Sequence, residues 1–469
     1  MQSSHAATAV DVAFDDPNLI ADAGLVPVVA LAEQVGLPEL VAEHVSILDA
    51  ANGAGANPVA KVMSLVAGMV AGADSIADVD RLRHAGNDLV FEQVRAPSTV
   101  GTFLRAFTHG HVQQLNRVLR EFLVALCQRV NLLPGADQVV FVDLDSTHRH
   151  VYGYQKEGAA VGRHKGRKTL HPLVASVSTP IARPVVAGIR LRKGKAADVR
   201  GAARFLAETL AVVRRIAPAA QVVVRADSKF YTAKVAVAAA RYGAYVSLTT
   251  GSNPDVNAAI SDIPDDAWTA IHYPDAFVDT ETGELISDAH VAEVPYTAFA
   301  SKAAQLQAHG RLIVRRVKRR NPDSVGEGQW MVQDELFTAW RHHAVFVTSG
   351  FQMLQAEGQH RDHAVVEQVI ADAAASALAH LPSGIFNANA AWAVLWAISH
   401  NLARAAGALA STFHARATTA TIRAHLINVP ARIARSTRRL TLHMPDGWPW
   451  QDAWTGLHAA VHRPARATA

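Results

Sequence analysis

The chain has 469 residues, of which half are apolar and 18% are charged. This length is too great for one ordinary domain, and the composition excludes a largely disordered protein. The single cysteine, Cys127, excludes a disulfide framework and a thiolate metal cluster, and it is compatible with a reducing compartment.

The charge is unevenly distributed along the chain. From Asn401 to the last residue there are nine arginines, no lysine and two aspartates, a balance of +7, while the rest of the chain carries −3. A basic segment on a near-neutral body favours a polyanionic partner, and nucleic acid is the first candidate. A solvated helix face is the alternative interpretation.

Residues 1–135 are predicted to form a helical region. Apolar residues at spacings of three and four predict one long helix over 111–130, and Pro97 starts a shorter one that runs through 107. Further short helices are predicted over 58–69 and 75–83. Several helices joined by tight turns suit a DNA-binding module, although a helical bundle of any purpose shows the same pattern.

Residues 136–252 are predicted to form an α/β core. Apolar, β-branched runs predict buried strands that end at Asp145 and Asp227. Further strands are expected over 170–178, 184–191 and 244–249, and helices over 198–216 and 232–242. The order is therefore three strands, helix, strand, helix, strand.

The remainder of the chain is predicted in three parts. Short alternating runs, such as 310–317, indicate a β-rich insertion over 253–348. Helical sequence resumes over 349–400 and includes the segment around Glu367. Residues 401–469 are expected to be a basic helical region, with a break near Pro430.

Carboxylates at strand ends are the candidate chemical groups. The carboxyl ends of parallel strands open into the crevice where ligands bind, so Asp145 and Asp227 are expected to face one cleft. Paired carboxylates in such a place favour a cation, and oxygen ligands suit Mg²⁺ or Mn²⁺. A loop cap is the alternative role for either residue, and Asp143 competes with Asp145 because alternation puts both on one face of the sheet.

A third carboxylate is harder to choose from spacing alone. Glu367 lies among apolar residues on a predicted helix that is expected to pack on the sheet. By spacing, it has no advantage over Asp362 or Glu357.

Three segments resemble the DDE transposases of bacterial insertion sequences that carry a β-strand insertion before the catalytic Glu. They are Val-Asp-Leu-Asp145-Ser-Thr, Arg-Ala-Asp227-Ser-Lys-Phe230 and His-Arg-Asp-His-Ala-Val-Val-Glu367. The resemblance implies a ribonuclease H-like core with the β-rich insertion, and Asp145, Asp227 and Glu367 as catalytic metal ligands. It favours Asp145 over Asp143, which then has a hydrogen-bonding role beside the ligands.

The resemblance also implies an activity and partners. A two-metal mechanism with Mg²⁺, or Mn²⁺ in its place, would cleave DNA at the ends of the element and join the freed 3′-hydroxyl to target DNA. The partners would be double-stranded DNA, namely terminal inverted repeats and target, with a homodimer in the DNA complex. With no secretory signal in the sequence, a cytoplasmic, nucleoid-associated protein is expected.

One signature of the family is altered. In the pattern Tyr-x2-Arg-x3-Glu-x6-Lys, this chain has His360, His363 and Ala374 in place of Tyr, Arg and Lys, with Arg361 as a substitute cation. The residues expected to contact DNA are therefore Arg361 and His363, the basic segment Arg163, Lys165, Arg167 and Lys168, and the C-terminal Arg432, Arg435, Arg438 and Arg439.

Two rival functions remain compatible with the same residues. One is a catalytically impaired or domesticated relative that binds DNA without cutting it, which the missing Lys at Ala374 suggests. The other is a nuclease on the ribonuclease H-like fold that performs no strand transfer.

Overall fold

The computed structural model describes residues 9–48, 50–153, 155–161, 166–271, 277–278, 285–286, 289–318 and 340–463. The chain divides into two compact units. Unit 1 combines the two ends of the chain, Met1–Val130 and Asp372–Ala469, whereas unit 2 is the continuous segment Asn131–Ala371.

The N-terminal part of unit 1 is mainly helical, as predicted. Its elements are β1 (Leu19–Ile20), α1 (Leu25–Gln34), α2 (Leu37–His44), α3 (Pro58–Ala71), α4 (Pro97–Arg105) and α5 (His109–Arg129). A capping box starts α5, where the Thr108 hydroxyl accepts the His111 backbone N–H and the His111 ring accepts the Thr108 N–H. The apolar face predicted for α5, from Val112 to Leu126, is buried.

The helices of the described residues were compared with the length and apolar composition that a membrane span requires. None of them is by itself long and apolar enough to cross a membrane, although the bent pair α1 and α2 together meets the length and composition criteria.

Unit 2 begins with the predicted alternation of strands and helices. Its first elements are β2 (Val139–Ser146), β3 (Arg149–His150), β4 (Ala160–Val161), β5 (Lys168–Leu170), β6 (Leu173–Ser178), β7 (Val185–Arg190), α6 (Ala202–Ile216), β8 (Gln221–Ala226), α7 (Ala233–Arg241) and β9 (Tyr245–Thr249). The strands β3, β5 and β4 form a small antiparallel sheet of their own.

The central strand of the main sheet is β2. It runs antiparallel to β6 and parallel to β8, while β7 pairs outside β6 and β9 outside β8. This part of the sheet therefore has the order β7-β6-β2-β8-β9. Because β2 and β8 are parallel neighbours, the residues that end them, Asp145 and Asp227, lie at one edge of the sheet.

The remaining elements of unit 2 include four strands that extend the same sheet. These elements are α8 (Pro254–Ser261), β10 (Thr269–Ile271), β11 (Phe277–Val278), β12 (Leu285–Ile286), β13 (Ala289–Ala298), β14 (Ala308–Lys318), β15 (Trp340–Val347), α9 (Met353–Arg361) and α10 (Val365–Ala374). The strand β15 pairs antiparallel with β9, and β14, β13 and β10 follow outward. The segment predicted as a β-rich insertion thus contributes strands that continue the main sheet.

The C-terminal part of unit 1 surrounds a long buried helix. Its elements are α11 (Phe386–Ala410), α12 (Thr412–Arg416), α13 (Thr419–Ile422), β16 (Ala431–Arg435), β17 (Leu440–His443) and α14 (Gln451–His462). Helix α11 packs on α3 and α5. The indole N–H groups of its buried Trp392 and Trp396 donate to the Ala377 carbonyl and the Ser376 hydroxyl, which satisfies both donors inside the core.

The prediction of a helical C-terminal region, with a break near Pro430, is wrong over 431–443. These residues form the antiparallel hairpin β16-β17, and β16 pairs with β1 through Leu19 and Arg432. The partner strand lies near the other end of the chain, so local periodicity carries no signal for it. Helix α11, most of which was expected within the core that holds Glu367, belongs to unit 1.

Candidate active site

A buried ion pair joins β2 to β8. Asp143 and Arg225 are register partners, and their side chains are 0% and 1% exposed. The guanidinium donates from Nε to Oδ1 at 2.7 Å and from Nη2 to Oδ2 at 2.8 Å, and it lies over the Phe141 ring. Burial alone would raise the pKa of Asp143, but Arg225 and His363 lower it below its ordinary value. Asp143 is therefore an ionised carboxylate with both oxygens engaged.

The ion pair also binds the turn between α9 and α10. Arg225 donates from Nη1 to the Gln359 carbonyl at 2.6 Å, and His363 donates from Nδ1 to Asp143 Oδ1 at 2.8 Å. The Nδ1 atom of His363 is thus directed toward the buried Asp143 carboxylate. Sequence analysis missed Arg225, although a charge inside the buried run Val-Val-Val-Arg-Ala requires a partner, and Asp143 supplies it.

His360 fastens α9 to β9. Its Nδ1 and Nε2 each lie 2.9 Å from a hydroxyl, of Ser247 and Thr249 respectively. Burial, followed by the nearby charges of His363 and Arg225, lowers the pKa of His360 to about 3. His360 is consequently neutral at physiological pH and has a structural role at the position where the family signature has Tyr.

Asp145 is the penultimate residue of β2, on the same face as Asp143. The Ser146 backbone N–H donates to Asp145 Oδ1 at 2.6 Å. Burial raises the pKa of Asp145, and the negative charge of Asp227 raises it further. The two strand-end carboxylates therefore interact, and a cation between them would relieve their repulsion.

Asp227 caps the single 3₁₀ turn that follows β8. Its Oδ1 accepts the Lys229 backbone N–H at 3.0 Å, and the buried Phe230 fixes the turn. The Lys229 ammonium lies 3.4 Å from Asp227 Oδ2. Burial by itself lowers the pKa of Lys229, but Asp227, Asp198 and Asp145 outweigh that effect and raise it.

Asp198 is a further carboxylate near this edge, and sequence analysis missed it. It lies in the loop before α6, where its Oδ1 accepts from the Ser146 hydroxyl and lies 3.1 Å from His171 Nε2. Arg192 donates to the Asp198 backbone carbonyl and holds the loop. No motif or spacing in the sequence relates Asp198 to Ser146, because only the fold brings them together.

Glu367 lies in the first turn of α10, and its side chain is exposed. The neighbouring Val366 and Val369 are buried, so the apolar face predicted for this helix is present. Arg149 of β3 donates to the Ile370 carbonyl at 2.9 Å, which ties α10 to the segment that follows β2.

The three predicted metal ligands, Asp145, Asp227 and Glu367, do not lie equally close to one another. Asp145 and Asp227 interact at the sheet edge. Among the described residues, however, no group of three or more His, Cys, Asp or Glu side chains is arranged to hold a metal ion, so Glu367 is not gathered with the pair. The alternatives are no closer to a ligand role, since Glu357 is buried and accepts from Arg361 Nε at 3.0 Å and Asp362 is exposed.

The donor set of the Asp145–Asp227 pair fits a hard divalent cation. It offers carboxylate oxygens at a partly exposed edge, which is the chemistry that Mg²⁺ and Mn²⁺ prefer. The Lys229 ammonium beside Asp227 is a positive charge of the chain itself at this position.

The basic residues of unit 2 that were expected to contact DNA differ in placement. Arg163 and Lys165 lie outside the described residues. Arg167 is exposed, and Lys168 begins β5. Arg361 is half-exposed and forms an ion pair with Glu357, so part of its charge is already neutralised.

The C-terminal arginines lie on the hairpin β16-β17 of unit 1. Arg432 donates to Asp16 Oδ2 at 3.1 Å. Arg435, Arg438 and Arg439 are exposed at and beside the turn that joins the two strands. A two-stranded ribbon with a basic tip has the dimensions that the major groove of B-DNA accepts.

Comparison with known proteins places the chain in a family. No match is found among curated proteins. Among solved structures, one similar chain is from the cryo-electron microscopy structure of a piggyBac transposase synaptic complex with hairpin DNA. The two are 10% identical with a TM-score of 0.41, over 86% of this chain and 79% of that one. The sequence itself matches the family described as "Transposase DDE domain group 1" over residues 2–465, and the chain therefore belongs to that family.

Proposed function

We propose that the protein cuts DNA at the ends of a bacterial insertion sequence and joins the freed 3′-hydroxyl to target DNA. The observation that supports this most is the placement of Asp145 and Asp227 at the carboxyl ends of two neighbouring parallel strands, in a member of a DDE transposase family. We infer that the strands β7-β6-β2-β8-β9 are a ribonuclease H-like core. Their order and directions, with α6 and α7 between them in the chain, support that inference.

The proposed metal ligands are Asp145, Asp227 and Glu367. Asp143 is left out because Arg225 and His363 engage both of its oxygens. Bound Mg²⁺ or Mn²⁺ would stabilise the attacking and leaving oxygens of an in-line displacement at phosphorus. Glu367 is included because it stands at the position of the Glu in the family signature.

The residues around the ligands have supporting roles in this proposal. The Asp143–Arg225 pair and His360 hold the sheet edge and the turn before α10 in a fixed relation. Hydrolysis and strand transfer need no covalent protein intermediate, so no serine or tyrosine nucleophile is required. Double-stranded DNA is the substrate, and two copies of the chain are proposed to act together on paired element ends.

A second candidate is a relative that binds DNA but does not cut it. It is favoured by Ala374 at the signature's Lys position, by the inward contact of His363 and by the exposed place of Glu367 apart from the two aspartates.

The test is cleavage of a labelled duplex that carries the element's terminal repeat, with Mg²⁺ or Mn²⁺. We expect the wild-type protein to cut and to join the product to plasmid DNA, and Asp145→Asn, Asp227→Asn and Glu367→Gln to abolish both. Asp362→Asn is the matched control, because Asp362 is an exposed acid just before α10. No cutting by the wild-type protein would favour the DNA-binding relative, and cutting without joining would favour a nuclease.

The three substitutions also test the ligand set one residue at a time. Cutting by a well-folded Glu367→Gln protein would remove Glu367 from the set, while the aspartate pair would stand.

A further inference from the structure

Lys229 is placed at the sheet edge by its own backbone. Asp227 accepts the Lys229 N–H, and the buried Phe230 anchors the turn on its other side. The side chain between these anchors is 52% exposed, and its ammonium lies 3.4 Å from Asp227 Oδ2. The lysine is therefore held beside the carboxylate while its flexible stem stays free to move.

The ammonium lies within the field of three carboxylates. Asp227, Asp198 and Asp145 all act on it, and they come from the end of β8, the loop before α6 and the end of β2. A divalent ion bound by Asp145 and Asp227 would share Asp227 with this charge or displace it. Displacement is easy, because a half-exposed ion pair is weak.

A displaced Lys229 remains next to the reacting phosphodiester. Its stem has four carbons, and the ammonium is a point charge with three donors, which suits a phosphate oxygen. The family-level reaction puts a DNA phosphate at this edge whenever the substrate is bound. The same side chain can thus contact the carboxylates in the metal-free protein and a DNA phosphate in the complex with metal and DNA.

We propose that Lys229 is a phosphate-binding residue of the active site that occupies Asp227 in the metal-free protein and competes there with the divalent ion. This inference rests on the proposed function, because it takes Asp145 and Asp227 as the metal ligands. In the metal-free protein the Lys229 ammonium contacts the carboxylates. When metal and substrate bind, the same ammonium contacts a DNA phosphate.

The first measurement is Mn²⁺ binding to the full-length protein without DNA. The free Mn²⁺ concentration is determined by electron paramagnetic resonance. We expect Lys229→Met to bind Mn²⁺ about fivefold more tightly than wild type, because the competing charge is gone. Lys234→Met is the matched control, since Lys234 is exposed in the next helix and is expected to leave Mn²⁺ binding unchanged.

The second measurement is the salt dependence of binding to a fluorescein-labelled duplex in the presence of Ca²⁺, which occupies oxygen sites. Lys229→Met should lose one phosphate contact. The slope of the logarithm of the DNA-binding constant against the logarithm of the salt concentration should therefore flatten by about one. An unchanged Mn²⁺ affinity or an unchanged slope, relative to Lys234→Met, overturns the proposal.

Two further variants separate this proposal from the proposed function. Asp145→Asn and Asp227→Asn should each weaken Mn²⁺ binding. If neither does, the metal site itself is wrong. If both do while Lys229→Met matches Lys234→Met, only the role of Lys229 is wrong.

Discussion

The Asp145 carboxylate carries a charge that the metal-free fold disfavours. Burial and the Asp227 charge raise its pKa, so the folded protein binds the Asp145 proton more tightly than the unfolded chain does. Stability therefore falls as pH rises from the unfolded pKa to the raised folded pKa, and it stays lower at higher pH. Such a penalty is typical of a functional carboxylate.

We expect Asp145→Asn to raise the melting temperature of the protein in EDTA at neutral pH. The advantage should vanish as pH falls below the ordinary Asp pKa, because the carboxyl group is then neutral in both states. Thermal unfolding across pH measures this, with Asp362→Asn as the exposed control. A lower melting temperature for Asp145→Asn at neutral pH would show that the carboxylate stabilises the fold.

Asp143, two residues away, has the opposite effect on stability. Arg225 and His363 outweigh its burial and hold its pKa below the ordinary value, so its contribution is present above the unfolded pKa and is lost as pH falls through the folded pKa. The same strand thus carries one carboxylate that favours folding and one that opposes it.

Breaking the buried Asp143–Arg225 ion pair should strongly destabilise the protein. Arg225→Met removes the guanidinium from the buried Asp143 carboxylate, which keeps only the contact from His363 described above, and we expect a loss of about 3–5 kcal/mol in the free energy of unfolding. The double variant Asp143→Leu with Arg225→Met should recover most of that loss, because no buried charge remains. Urea unfolding of both variants measures this, and a double variant no better than the single one would contradict the explanation.

At the scale of elements, the hairpin β16-β17 is the clearest candidate for a DNA contact. Its exposed arginines lie at and beside the turn, whereas Arg432 is already bound to Asp16. The sequence identified these arginines by charge but assigned them to a helix. The hairpin that carries them pairs with β1 through Arg432 and Ala431, a contact that no local pattern describes.

We expect the triple variant Arg435→Ala, Arg438→Ala and Arg439→Ala to bind DNA more weakly and to flatten the salt slope by roughly three, since each phosphate contact contributes about one. Changing the same residues to Lys should largely preserve the slope, because the charge remains. Fluorescence anisotropy over a salt series measures both. An alanine variant with the parent's slope would show that the hairpin does not touch DNA.

At the scale of the whole molecule, unit 1 is made from both ends of the chain. The buried Asp22, just after β1, accepts from Arg81 Nη2 at 2.8 Å and from the Asn428 side chain. Five of the eight tryptophans, Trp392, Trp396, Trp448, Trp450 and Trp454, belong to this unit. Tryptophan fluorescence therefore reports mainly on unit 1.

We expect Asp22→Ala to destabilise the fluorescence-monitored transition by about 1–3 kcal/mol, because Arg81 and Asn428 lose the buried acceptor that they share. Asp16→Ala is the matched control, since its ion pair with Arg432 lies at the surface and should matter little. Urea unfolding compares the two. Equal midpoints would show that Asp22 does not hold the two ends of the chain together.

The sequence by itself determined the local elements and the two strand-end aspartates. Helix α5 and the strands around Asp145 and Asp227 follow from short-range periodicity and burial, which are encoded in neighbouring residues. The family assignment likewise depends on sequence, since the match covers residues 2–465.

The tertiary structure alone decided which residues surround those aspartates. The partners of Asp143, namely Arg225 and His363, and the partner of the Ser146 hydroxyl, Asp198, come from distant segments and meet only when the sheet forms. The same holds for the joining of both chain ends in unit 1 and for the strands that continue the main sheet. Strand register and long-range ion pairs depend on contacts between segments far apart in the chain, and local pattern contains no record of them.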